Sequence, residues 1–162
     1  FIIICLSFRS LMIPIILVFV IQGSIWISMS FSFISNEPIF FMAYLICLCI
    51  QMGATIDYGI IMCESYLYSR KSHSKNESIQ IALKKSLPSI LTSGSILVIS
   101  GFIIGVISTE LTISSIGLLL GRGTLVSILL VLFLLPSILL SLDKLILKTT
   151  INYKDVLIKE YN

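Results

Sequence analysis

Asp57, an aspartate set inside an apolar run, is the residue best placed to do chemistry. It lies in Met52-Gly53-Ala54-Thr55-Ile56-Asp57-Tyr58-Gly59-Ile60-Ile61-Met62, with a phenol beside it and small residues on either flank. A carboxylate in hydrocarbon is costly and is kept mainly where it pairs or where it marks an ion or substrate path. A low-dielectric site disfavours the charged form of a carboxyl group. An acid there can hold a proton near neutral pH and release it when water or a counter-charge approaches, which is what proton-coupled transport requires. Tyr58 adds a hydroxyl able to donate to a carboxylate on a neighbouring helix. The plainer reading of Asp57 is a helix-packing acid with a permanent partner.

Arg122 is the second charge out of place, bracketed by glycines in Gly117-Leu118-Leu119-Leu120-Gly121-Arg122-Gly123. It is a candidate counter-ion for Asp57, or for an acid outside this chain. Glu64 follows Asp57 by two helical turns and shares its face, so it is read either as a relay group or as a solvated interfacial acid. Gly53, Gly101, Gly105, Gly117 and Gly121 are candidate packing residues. The last four form two small-xxx-small pairs that let helix backbones approach closely. Thr92, Ser93 and Ser95 are expected to bond to carbonyls of their own helix. Cys5, Cys47, Cys49 and Cys63 have no metal-ligand spacing and are read as small apolar packing residues. With no nucleophile–base pair, no metal cluster and no phosphate-binding loop, neither an enzyme nor a cofactor is expected.

The elements that must position these residues follow from composition. The 162 residues are 57% hydrophobic and only 12% charged, whereas a soluble domain is about a quarter charged. Mean hydropathy is +1.08. The apolar residues fall in blocks able to cross a bilayer as helices, about 20 residues each, and they do not alternate as membrane strands do. The expected fold is an all-α membrane protein: a bundle of four full transmembrane helices plus the tail of a fifth. The spans are placed at about 11–33, 38–63, 87–107 and 113–140, with 1–7 as the tail of a preceding helix and 148–162 as a terminal tail. Because the chain opens inside an apolar run, at Phe1, it is expected to be the C-terminal part of something longer.

Charge orders the connections. Ser35-Asn36-Glu37 and Ser108-Thr109-Glu110 contain acids and no Lys or Arg. Ten of the eleven basic residues lie in the Arg9 break, the 66–85 connection and the tail after Ser141. The positive-inside rule puts those three on the cytoplasmic side, the C-terminus included. Within the middle connection, Ser74-Lys75-Asn76-Glu77 has the spacing of a capping box, so a short amphipathic helix is expected to lead into the third span.

Several stretches together resemble the MMPL branch of the resistance–nodulation–division (RND) transporters. Gln51 to Gly59 resembles that branch's Gly-x-x-x-Asp-Tyr helix, and Ala82-Leu83 to Gly101-Phe102 resembles the helix after it. Ile116-Gly117 to Gly123 and Leu134-Leu135-Pro136-Ser137-Ile138-Leu139 resemble the last helix and its Leu-Pro ending. Phe8-Arg9-Ser10 resembles the junction before the first of them. Residues 1–147 are covered; Ser65 departs from the pattern, standing where a charged or more polar group is expected near the helix end. The resemblance implies the end of the second of two similar helical halves, whose N-terminal partner is missing from this chain. It implies proton-driven export of lipids, drugs or other hydrophobic molecules across the cell membrane, with Asp57 as proton carrier and Tyr58 as its companion toward the other half. The implied partners are membrane lipids, protons, a hydrophobic substrate and that N-terminal half, with no nucleic acid. The rival reading is a membrane scaffold or a lipid- or sterol-sensing module that transports nothing.

Overall fold

The computed structural model describes residues 2–8, 10–34 and 40–149. They form helices α1 (Ile2–Phe8), α2 (Met12–Ile34), α3 (Phe41–Arg70), α4 (Lys75–Ile107), α5 (Leu111–Ser141) and α6 (Asp143–Thr149), with no strand among the described residues. Four of these, α2 to α5, are long and apolar enough to cross a membrane. Helices suit that role because each satisfies its backbone groups internally, where lipid offers no hydrogen bonds. The expected all-α membrane bundle is what forms. The Arg9 break, the Ser35-Asn36-Glu37 connection and the tail from residue 150 onward lie outside the described residues.

Two helices run further than hydropathy suggests. The third, α3, continues from the expected end near Cys63 to Arg70. Its last two turns are polar in composition, yet Tyr66, Leu67 and Arg70 are buried there. In α4 the amphipathic segment and the apolar span form one uninterrupted helix from Lys75 to Ile107. Its start is the expected capping box: the Ser74 hydroxyl accepts from the Glu77 N–H, and the Glu77 carboxylate accepts from the Ser74 N–H at 3.2 Å. Pro88 lies inside α4 without ending it. Proline interruptions of this kind are tolerated in membrane helices; separately, the Thr92 hydroxyl donates to the Pro88 carbonyl of its own helix at 2.9 Å.

Glycine sets the closest packing. A Cβ built on Gly101 would fall 2.7 Å from the backbone nitrogen of Gly121, and one on Gly117 would fall 2.5 Å from that of Gly105. The α4 and α5 backbones therefore touch directly, as the two small-xxx-small pairs require. On the other side of the bundle Leu17 of α2 packs onto Gly59 of α3, next to Leu135 of α5. The core between these helices is built from Leu17, Met62, Cys63, Tyr66, Ile90 and Leu135. A smaller cluster joins Ala43 and Cys47 to Leu119 and Leu120. Large apolar side chains such as Phe19, Phe33, Val106 and Phe133 point outward, as they do when hydrocarbon replaces water as solvent.

Candidate functional site

Asp57 sits where the seam between α3 and α4 opens on the outside of the bundle. It lines an open-sided pocket of about 430 Å³ with Ala54 and Tyr58 from α3 and Ser93, Leu97 and Ser100 from α4. The helical period explains its outward position. Gln51, Thr55, Tyr58 and Met62 are buried, and their spacing of three and four residues defines the inward stripe of α3. Asp57 falls one residue off that stripe and is exposed. An acid enclosed within this chain is therefore not what forms. Among the described residues, no hydrogen bond or ion pair reaches the Asp57 carboxylate.

Tyr58 is on the stripe itself. It is 5% exposed and belongs to the main core. Its hydroxyl faces α4 within this chain, lying 3.6 Å from where a Cβ on Gly94 would be. The two adjacent residues thus look in different directions: the phenol inward along the pocket wall, the carboxylate outward.

The other candidates separate. Arg122 is half-buried, and its Nε donates to the Leu118 carbonyl of its own helix at 3.4 Å. No ion pair joins it to Asp57, so it is not that acid's counter-ion within this chain. Gly121 beside Arg122 packs on Gly101 and Phe102 of α4, whereas the α4 side of the Asp57 pocket is formed by Ser93, Ile96, Leu97 and Ser100. Glu64 is exposed on α3 and also unpaired among the described residues. Gly53, expected to pack a helix, has nothing within 4 Å of a built Cβ. It lies one turn before Asp57 on the same outward face, so it leaves open space beside the acid. Thr92, Ser93 and Ser95 each bond to carbonyls of α4, as anticipated.

A second polar cluster escaped the sequence reading. At the end of α3, the Tyr66 hydroxyl donates to Asp143 Oδ1 at 2.6 Å, and Arg70 Nη2 donates to Asp143 Oδ2 at 3.1 Å. Arg70 Nη1 also donates to the His73 carbonyl at 3.2 Å. Tyr66 is fully buried, and Arg70 and Asp143 are each 4% exposed. Asp143 opens the short helix α6, so these bonds fasten the α5–α6 elbow to the end of α3. The available signal was the spacing of Tyr66 and Arg70, four residues apart and hence on one face. Asp143 gave none, because the contact spans 73 residues of sequence. Gln51 was also passed over; its amide lies flat against Gly123, within 2.8 Å of a Cβ built there.

Four membrane-length helices, lipid-facing aromatic side chains and an unpaired acid on an apolar helix define a multi-pass membrane protein. The model of the MMPL family matches residues 1–149, nearly the whole chain. The chain belongs to the MMPL family. No curated protein and no solved structure matches it.

Proposed function

We propose that this chain is part of a proton-motive-force-driven transporter that exports lipids, drugs or other hydrophobic molecules, and that Asp57 carries the proton. One observation supports this most strongly: Asp57 lies on an apolar, membrane-length helix, faces outward into an open pocket, and has no partner among the described residues. A packing acid would be paired, because an unpaired charge in hydrocarbon is costly. A proton carrier gains from the opposite arrangement, since it must change charge as its surroundings change. Tyr58 forms the pocket wall beside it, and Gly53 and Ala54 leave room for another helix to approach. In this reading the approaching helix comes from the other half of the transporter. Glu64, two turns further on the same face, takes the proton at the mouth of the path.

The protein is placed in the cell membrane with the 71–74 connection and the C-terminus on the cytoplasmic side, because the basic residues collect there. The chemistry is conformational and electrostatic, not that of an enzyme. The test uses the complete transporter in cells, with a panel of hydrophobic dyes and lipids. Asp57→Asn is expected to abolish their proton-coupled export while leaving membrane insertion intact. Normal export by that variant would rule out Asp57 as the proton carrier, whereas a complete wild-type protein that exports none of the panel would favour a scaffold or lipid-sensing module.

A further inference from the structure

The interior between α2, α3 and α5 contains a layer of polar side chains that the proton site does not use. Leu17, Gly59 and Leu135 meet at one level of the bundle. At ~1.5 Å per residue from that level toward the Ile34 end of α2, Ser24, Ser28, Gln51, Thr124 and Ser127 all fall within roughly 10 to 17 Å. All five are buried, with Gln51 at 1% and Thr124 at 0% exposed. Ser24 donates to the Ile21 carbonyl at 2.7 Å. The Oγ of Ser28, Nε2 of Gln51, Oγ1 of Thr124 and Oγ of Ser127 have no hydrogen-bond partner among the described residues.

Polar atoms buried this fully are normally paired with protein or with ordered water, because an unpaired one keeps the cost of losing its hydration. The amide of Gln51 is held in place by Gly123, the only residue type that leaves space for it: Oε1 and Nε2 lie 2.5 and 2.7 Å from the position of a Cβ there. Thr124, the next residue, and Ser127, one turn on, share a face of α5. We propose that this seam is a binding site for internal water, held by Ser28, Gln51, Thr124 and Ser127. Water fits the set because it both donates and accepts, as the three hydroxyls do, and can accept from the amide N–H. A buried water needs two to four polar partners, and the seam supplies them from three helices.

X-ray radiolytic labelling of the complete protein in lipid nanodiscs tests the assignment, because activated bound water oxidises the side chain next to it. The thiol of Thr124→Cys is compared with native Cys63, which is fully buried in the apolar core. The seam thiol is expected to oxidise at least about tenfold faster, as bound water beside it would dictate. Equal rates would overturn the proposal. Ser127→Cys gives the same reading if Thr124→Cys fails to fold. An independent readout is the melting temperature of Thr124→Val. Removing a water-bonded hydroxyl lowers it, whereas removing an orphaned hydroxyl from a dry seam raises it, which would also overturn the proposal.

Discussion

Neighbouring residues on α3 have opposite roles because a helix turns about 100° per residue. Asp57 was legible as chemistry from its type and context alone. Its outward direction was not, since that depends on which stripe of α3 the other helices cover. Tyr58 lies on that stripe, and its hydroxyl makes no hydrogen bond among the described residues. Tyr58→Phe is therefore expected to leave thermal stability within about 0.5 kcal/mol of the wild type, while lowering proton-coupled export if the pocket wall takes part in the relay. Thermal unfolding and export measured on the same variant separate the two effects. The Tyr66–Arg70–Asp143 cluster behaves differently. Asp143→Ala removes the only carboxylate described against the buried Arg70 guanidinium, at a cost of about 3–5 kcal/mol, whereas replacing both charges with Arg70→Met and Asp143→Leu is expected to cost far less. Denaturation of the purified protein in detergent checks the order. Equal losses would mean that the pair is not buried as described.

At the scale of elements, composition located all four spans but misjudged where helices stop. Residues 66–70 read as part of the 66–85 connection because Ser69 and Arg70 lower the local hydropathy and more polar residues follow. The helix persists because Tyr66, Leu67 and Arg70 find buried partners on α6 and in the core, contacts distant in sequence. Glycine spacing was informative where it met another glycine pair and uninformative elsewhere. Gly117→Leu is expected to force α4 and α5 apart and destabilise by at least about 1–3 kcal/mol. Gly53→Ala meets open space within this chain, so here it is expected to leave stability unchanged or slightly raised, as an exposed helical Gly→Ala change does. Melting temperatures of the two variants of this chain should differ in this order. A loss from Gly53→Ala that appears only in the complete transporter would mark the helix proposed to cover that face.

For the whole molecule, charge distribution predicts orientation more directly than any contact does. The turn at 71–74 lies next to Arg70, Lys71 and Lys75, and the turn at 108–110 carries only an acid. Cysteine placed by His73→Cys should react with a membrane-impermeant reagent only from the cytoplasmic side, and Thr109→Cys only from outside. The reverse pattern would invert the bundle. Both side chains are exposed, so failure to label from one side reports topology and not burial. The outward face of α3, with Gly53, Asp57 and Glu64 in line, is the face proposed above to meet the rest of the transporter. The proposed relay rests on the Asp57 carboxyl group lying open on the outside of an apolar helix, unpaired among the described residues. Its most direct test is reaction of the complete protein in membranes with dicyclohexylcarbodiimide, an apolar reagent that attacks protonated carboxyl groups. Modification is expected at Asp57 and is expected to be absent in Asp57→Asn. An Asp57 that stays unmodified while the reagent labels other carboxyl groups would rule out the proposed role.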